Sequence, residues 1–149
     1  MPGIDEELKS RFESEQHKAL LNVMFTANWL RARQVEIFKP YGISPQQYNI
    51  LRILRGAKGR MNMHTVKSRM IDRAPNATRL TDKLISKGLV QRIRCEEDRR
   101  VVYVSITDDG MDLLARIDSA NKAEMQEAAR RLTKADATEM NRILDAWRG

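Results

Sequence analysis

The fold is decided by the stretch Leu89-Val-Gln-Arg-Ile-Arg-Cys-Glu-Glu-Asp-Arg-Arg-Val-Val-Tyr-Val-Ser-Ile-Thr107, in which two short apolar runs flank a charged loop. Apolar residues alternate with others along both runs, and this predicts two antiparallel strands joined by a tip at residues 96–100. The stretch follows directly on a basic helical segment that ends at Gly88, and glycine is common at helix ends. A cationic helix that leads into a small basic hairpin is typical of a winged helix-turn-helix.

Helical periodicity on both sides of this stretch predicts a single domain over residues 1–149. We expect a mostly α fold with a small β-hairpin wing. Long helical regions are predicted at both ends of the chain, over residues 5–39 and over residues 108–147, where the fifth helix runs to about Arg131. Both regions carry apolar stripes and little excess charge. We therefore expect them to be dimerisation helices around a winged helix-turn-helix at about residues 44–107.

The predicted helices begin at residues that are common N-caps. Ser44 and Gln47 form a capping-box pattern around Pro45. The fourth helix is predicted to hold Pro75 in its first turn, where the missing amide costs least. Apolar residues line one side of that helix, which predicts that this side packs on the core. The apolar side of the fourth helix holds Ala77, Leu80, Leu84 and Ile85. The other predicted N-caps are Asn62, Thr107 and Thr133.

The net charge of +7 is concentrated in one third of the chain. Residues 52–100 contain 14 Lys and Arg against 5 Asp and Glu, whereas the other residues contain 13 against 15. A local excess of one sign is typical of a surface that binds a polyanion. A separate side of the fourth helix carries Asn76, Arg79, Lys83 and Lys87, and we interpret it as a DNA-binding face rather than a merely solvated one.

Several protein classes find no support in the sequence. Ser-His-Asp, Cys-His and paired-carboxylate arrangements are absent, as is a Gly-rich phosphate loop, so we expect no enzymatic activity. The densest apolar stretch, residues 20–30, is about half of a bilayer span, and the acidic N-terminus is unlike a signal peptide, so we expect a cytoplasmic protein. One cysteine and two histidines, His17 and His64, predict no disulfide, metal or cofactor.

The chain resembles the MarR (multiple antibiotic resistance regulator) family of prokaryotic transcription factors. The resemblance covers nearly the whole chain and implies a homodimer formed by the first, fifth and sixth helices. Such a dimer binds a pseudo-palindromic operator, with recognition helices in successive major grooves and wings at the flanking minor grooves. The segments that carry the resemblance are Gly42-Ile-Ser-Pro-Gln-Gln-Tyr-Asn-Ile-Leu-Arg-Ile-Leu54, Ala77-Thr-Arg-Leu-Thr-Asp-Lys-Leu-Ile-Ser-Lys-Gly-Leu-Val90, and Asp98-Arg-Arg100 with Ile106-Thr-Asp-Asp-Gly110.

By position, the resemblance implies that Thr78 and Arg79 reach base edges and phosphates near the start of the recognition helix. Asp98 and Arg100 match the family's wing pair, in which the acidic residue orients the arginine toward the minor groove. The turn at residues 73–76 departs from the family's usual small hydroxyl residues, which leaves the register of base contacts open. With helical geometry added, the predicted DNA-binding residues are Asn76, Thr78, Arg79, Lys83, Lys87, Asp98, Arg99 and Arg100.

Many members of the family release DNA when a small anionic or phenolic ligand binds between the dimerisation helices and the DNA-binding lobe. Trp29 and Tyr48 are the candidate lining residues here, although an aromatic residue in such a position more often belongs to the core. Cys95 is a weak redox candidate, because neighbouring arginines favour its thiolate and neighbouring acidic residues oppose it. Peroxide-sensing members carry their cysteine near the start of the first helix, where this chain has none.

A sequence-specific regulator, most simply a repressor, is the interpretation that the sequence favours. The alternatives are a winged-helix module for non-specific DNA contacts and one for protein contacts. The single-sign charge of residues 52–100 argues against a surface that contacts only protein. Salt dependence distinguishes DNA binding from protein binding, because DNA binding weakens steeply with salt in proportion to the number of phosphates neutralised.

Overall fold

The structure, a computed structural model, describes residues 2–73 and 75–149. This part of the chain is mostly helical and contains one small antiparallel sheet, as predicted. A short 3-10 turn at Lys39–Tyr41 joins the second and third helices. The elements in chain order are α1 (Ile4–Leu8), α2 (Glu15–Phe38), α3 (Pro45–Ala57), β1 (Met61–Asn62), α4 (Met63–Arg69), α5 (Ala77–Ser86), β2 (Val90–Arg94), β3 (Val102–Ile106), α6 (Asp108–Ala120), α7 (Lys122–Arg130) and α8 (Lys134–Arg148).

The prediction of one continuous helix over residues 5–39 is wrong. Helix α1 ends at Lys9, which has the left-handed backbone conformation that commonly closes a helix (φ 49°). Helix α2 starts again after Ser14, whose hydroxyl accepts a hydrogen bond from the His17 backbone amide at 3.0 Å. Because that cap satisfies an amide that would otherwise lack a partner, two helices replace one.

The predicted fifth helix, over residues 108 to about 131, is also divided. Asn121 lies between α6 and α7 and has a non-helical backbone conformation. Its side-chain amide donates to the Ile117 carbonyl at 2.9 Å, and its backbone amide donates to the same carbonyl at 3.0 Å. Asparagine competes with the regular helical hydrogen bonds in this way, so the helix is interrupted there.

The four predicted N-caps are confirmed. Ser44 and Gln47 form a complete capping box, with the Gln47 amide donating to the Ser44 hydroxyl at 3.1 Å and the Gln47 side chain accepting from the Ser44 amide at 3.0 Å. Helix α5 differs from the prediction at its start, because it begins at Ala77 and Pro75 lies in the turn before it. Ala74, in the same predicted turn, lies outside the described residues. The other confirmed caps are Asn62, Thr107 and Thr133.

The sheet has three strands in the order β1-β3-β2. The predicted hairpin is confirmed, with Val90 opposite Ile106 and Arg94 opposite Val102. The short strand β1 was not predicted, since its two residues are too few to show an alternating pattern. It pairs Met61 with Val104 and so joins the helix-turn-helix to the middle of β3.

The core lies where α3, α5 and α6 meet the sheet. Its fully buried side chains include Leu51 and Leu54 of α3, Leu84 of α5 and Leu114 of α6. Helix α8 contributes no buried residue, and its apolar residues stay on the surface. The core therefore holds the helix-turn-helix and the sheet together, whereas α8 is unpartnered in the single chain.

Candidate DNA-binding site

Helix α5 has the two-sided character that the sequence predicts. Ala77 and Leu84 are buried, and they are joined by Thr81, whose hydroxyl donates to the Ala77 carbonyl at 2.9 Å. That bond satisfies the polar group of Thr81, so a threonine is tolerated on the core side. Leu80 and Ile85 are half-buried against the same core. The opposite side exposes Asn76, Thr78, Arg79 and Lys83.

Helix α3 holds α5 in position through side-chain amides. The Gln47 side chain donates to the Leu80 carbonyl of α5 at 3.3 Å. Two further bonds hold the turn ahead of α5, since the Ile71 amide donates to the Asn49 side chain at 2.9 Å and the Gln46 side chain donates to Asp72 at 3.2 Å. The exposed face of α5 is therefore presented by a fixed support rather than by an isolated helix.

Lys87 differs from the other predicted residues of the stripe. Its ammonium group donates to the Gly42 carbonyl, at the junction ahead of α3. Lys87 is exposed but already has a partner within the chain, at the far end of α5 from Thr78 and Arg79. The structure thus brings Asn76, Thr78, Arg79 and Lys83 onto one exposed face and places Lys87 at its edge.

The wing tip orients one arginine away from the core. The Asp98 carboxylate accepts from the Arg100 backbone amide at 3.0 Å and from its Nε at 3.3 Å. The Arg100 side chain remains 92% exposed, so its remaining N–H groups are available to a partner. Arg99 is also exposed. The pairing of Asp98 with Arg100 is present in the structure, whereas the contact of Arg100 with the minor groove stays a prediction.

A groove beside this face contains residues that the sequence reasoning missed. It has a volume of about 380 Å³ and lies between α4, the start of α5 and the hairpin. Lys67 of α4 and Arg92 of β2 line it together with Thr78 and Arg100. Their charge was counted in the basic third of the chain, but which side of α4 and β2 faces this groove depends on how those elements pack.

A partly buried polar network joins α3 to α6. The Tyr48 hydroxyl donates to Asp118 at 2.6 Å, Arg55 donates to the other oxygen of that carboxylate at 2.8 Å, and Phe38 stacks on the Tyr48 ring at 4.2 Å between centroids. Burial and the hydrogen bond to Asp118 raise the pKa of Tyr48 to about 12. Partial burial opposes ionisation of Asp118, but the bonds from Tyr48 and Arg55 hold the pKa of that carboxyl below its usual value.

The structure separates the two residues predicted to line a ligand cleft. Trp29 borders a cavity of about 580 Å³ between α2 and the α6–α7 junction, with Arg33 and Tyr41 on its walls. Tyr48 is only 7% exposed and is not among the residues that line it. Cys95 is half-buried near the hairpin tip. Residues 2–73 and 75–149 contain no group of three His, Cys, Asp or Glu side chains that could hold a metal ion.

Comparison with known proteins identifies the family. Residues 43–102, from the start of α3 into the hairpin, match the family model described as "MarR family". The crystal structure of a MarR transcription factor from Planctomyces limnophilus is 34% identical, with a TM-score of 0.70, over 91% of this chain and 99% of that one. The chain belongs to the MarR family. As a MarR protein it is a DNA-binding transcriptional regulator and not an enzyme.

Two further proteins resemble the chain, one in sequence and one in fold. The HTH-type transcriptional regulator PapX of Escherichia coli is 30% identical over 110 residues, which are 73% of this chain and 66% of PapX. The structure of a MarR mutant from E. coli in complex with operator DNA has a TM-score of 0.71 at 23% identity, over 97% of this chain and 98% of that one. Within residues 2–73 and 75–149 of this chain, no helix has the length and apolarity needed to span a bilayer.

Proposed function

We propose that this protein is a homodimeric repressor that binds a pseudo-palindromic operator, with one α5 helix and one wing in each half-site. The observation that carries the proposal is the exposed polar and basic face of α5 beside a wing arginine that points outward. Arg79 can form a bidentate contact with guanine, whereas Lys83 suits a phosphate. A MarR mutant from E. coli with a similar fold has been solved in complex with operator DNA, which supports operator binding by this fold. Repression follows where a bound dimer blocks access to the promoter.

The proposed dimer is supported by the apolar side chains that the terminal helices leave exposed. Helices α2 and α8 expose large hydrophobic residues, and no residue of α8 is buried in the single chain. Several large apolar side chains exposed along the same helix favour an interface. Two copies placed by a two-fold axis also present two recognition helices, as an inverted repeat requires. These exposed apolar residues are Leu20, Val23, Met24, Leu30 and Val35 in α2, Leu132 just before α8, and Met140, Ile143 and Trp147 in α8.

Selection of bound sequences from a random duplex pool, repeated at two salt concentrations, tests the proposal. We expect an inverted repeat with half-sites about one helical turn apart, bound more weakly at the higher salt concentration. Salt-sensitive binding without a selected sequence would favour a non-specific winged-helix module. Retention of no duplex at either salt concentration would favour protein contacts instead, and either result would contradict the proposal.

We further infer that a small anionic or phenolic effector relieves binding by entering the Trp29 cavity. The Arg33 guanidinium lies 5.0 Å from the centroid of the Trp29 ring, so a cation and an aromatic wall border the cavity. Arg33 also lies 3.8 Å from Glu127, and Glu36 and Glu124 line the cavity, so an anionic ligand would have to compete with these carboxylates for Arg33. Titration of a Trp147→Phe variant with benzoate and with phenol should change Trp29 fluorescence and release the selected operator. An Arg33→Ala control should respond less to benzoate. Unchanged fluorescence and operator affinity with both compounds would contradict this part of the proposal.

The same function places the protein where its DNA is, in the cytoplasm of a prokaryotic cell. A supporting test is the location of a fluorescent fusion, which we expect to coincide with the nucleoid. A fusion confined to the cell envelope would contradict it.

A further inference from the structure

The groove between α4, α5 and the hairpin concentrates positive charge from three separate elements. Lys67 comes from α4, Arg92 from β2 and Arg100 from the wing, and all three side chains line it. No carboxylate lines the groove in the described part of the chain. Thr78, at the start of α5, adds a hydroxyl that can donate a hydrogen bond. Three cations and a hydroxyl around one concavity form a suitable site for an anion.

The position of the groove relates it to duplex DNA. Thr78 is one of the residues on the exposed face of α5, and Arg100 is the outward arginine of the wing, so the groove lies directly between the two surfaces proposed to contact the operator. A duplex that reaches both surfaces must pass its backbone over the space between them. Since the DNA backbone carries one negative charge per phosphate, the anion brought to the groove is a phosphodiester.

We propose that this groove is a phosphate-binding site for the operator backbone, in which Lys67 and Arg92 are DNA-contacting residues beyond the recognition helix and the wing tip. The proposal rests on the proposed operator binding. It adds two cations whose contacts are independent of base sequence, so they contribute affinity and register rather than specificity.

Arg92 has a partner in the free protein that phosphate would have to share. Its Nη2 donates to the Asp82 carboxylate of α5 at 2.5 Å, and both side chains are about half exposed, at 49% and 50%. Exposed ion pairs contribute little to stability, so replacing Asp82 by phosphate as the partner of Arg92 costs little free energy. A guanidinium also has five N–H donors, so it can retain Asp82 while it binds phosphate. Asp82 therefore lowers the attraction of the groove for DNA without removing it.

The test uses full-length variants and fluorescence anisotropy with the selected operator over a range of salt concentrations. Lys67→Gln and Arg92→Gln should each weaken operator binding several-fold at low salt and flatten the log–log salt dependence by about one unit. Arg11→Gln removes the same charge from the segment between α1 and α2, outside the groove, and should leave both quantities unchanged. Asp82→Asn should act in the opposite direction and tighten binding to an unrelated duplex.

Arg92→Gln in the Asp82→Asn background separates the two roles of Arg92. A several-fold loss that persists there supports a phosphate contact. A loss that disappears shows that Arg92 only neutralises Asp82, and this would overturn its assignment. Normal affinity and salt dependence in both Lys67→Gln and Arg92→Gln, with a wild-type protein that binds its operator, would overturn the groove as a whole. A wild-type protein that binds no duplex would instead contradict the proposed function.

Discussion

The backbone amide and Nε of Arg100 donate hydrogen bonds to Asp98, whereas the rest of its guanidinium remains exposed. Asp98 accepts from the Arg100 amide and from Nε, and the side chain is nevertheless 92% exposed. Orientation before binding lowers the entropy lost when a flexible arginine is immobilised on DNA. A short acidic residue two positions earlier is therefore part of how the arginine acts, which explains why both residues occur in the wing.

Replacement of Arg100 by alanine should weaken operator binding by about tenfold, the order expected for loss of one hydrogen bond to a charged group. The dimer should remain intact, because Arg100 lies at the wing tip and far along the chain from the terminal helices. Anisotropy gives the affinity, and analytical ultracentrifugation gives the mass. Arg11→Ala, which removes an exposed arginine near the N-terminus, is the matched control. Equal affinities for wild type and Arg100→Ala at physiological salt would contradict the wing assignment.

Gly110 shows how closely one helix approaches the sheet. A Cβ atom at this position would lie 2.3 Å from the Leu89 carbonyl oxygen and 2.6 Å from Cγ1 of Ile106. Since the first of these atoms belongs to the backbone, it cannot move aside easily. The first turn of α6 therefore rests directly on the strand ends, and only glycine permits this approach.

Gly110→Ala should lower the free energy of unfolding by about 2–3 kcal/mol through overpacking. The matched control is Gly56→Ala in α3, where an added Cβ meets nothing within 4 Å. That change should raise stability by about 0.5–1 kcal/mol, since alanine restricts the unfolded chain and favours a helix. Urea denaturation measures both. Equal stability of the two variants would show that α6 does not pack on the strand ends as described.

The contact between α3 and α6 predicts a dependence of stability on alkaline pH. The pKa of Tyr48 is about 12 in the folded protein against an ordinary value of 10.0. Because the pKa of Tyr48 is higher in the folded than in the unfolded protein, the protonated side chain contributes its full stabilisation below pH 10. That contribution is lost as pH rises from 10 through 12. The loss should amount to about 2–3 kcal/mol, because each pKa unit corresponds to about 1.4 kcal/mol.

Tyr48→Phe removes the titrating group and should show a smaller fall in stability between pH 10 and pH 12 than the wild-type protein. It should also be less stable below pH 10, because Asp118 loses one of its two donors. Urea denaturation across this pH range gives both quantities. Parallel curves for the two proteins above pH 10 would mean that Tyr48 does not carry the effect.

At the scale of the whole molecule, stability and assembly depend on different helices. The core is formed by α3, α5, α6 and the sheet, whereas α8 keeps Met140, Ile143 and Trp147 exposed and buries no residue. The single chain therefore folds around its DNA-binding half and leaves an apolar helix exposed, which the proposed dimer would cover.

A chain that ends after Leu132 should fold but should not dimerise. It keeps the whole core cluster and loses α8, so its circular dichroism per residue should stay helical while sedimentation shows a monomer. Operator affinity should fall steeply, because two half-sites are no longer bound by one linked particle. A stable dimer of the shortened chain, or a soluble monomer that binds the full inverted repeat with normal affinity, would contradict the role of α8.

By itself, the sequence determined the features that depend on short spacings and local chemistry. The hairpin followed from alternation, the N-caps from Ser44, Asn62, Thr107 and Thr133, and the basic face of α5 from helical spacing. These features involve residues within a few positions of one another, so their interactions are already present in the order of the chain.

Contacts between residues distant in sequence, and the exact points at which helices break, could not be predicted from the spacing of residues. The breaks at Lys9 and Asn121 replaced helices that periodicity alone would continue. Lys9 adopts a left-handed backbone conformation, and at Asn121 a side-chain hydrogen bond competes with the helical ones. The packing of the elements brings the Lys87 ammonium to the Gly42 carbonyl and places Arg92 and Lys67 in the wall of one groove. Residues 25 to 45 positions apart come into contact only when the core fixes the elements that carry them. The sequence therefore shows how many charges this region holds but not which of them become neighbours.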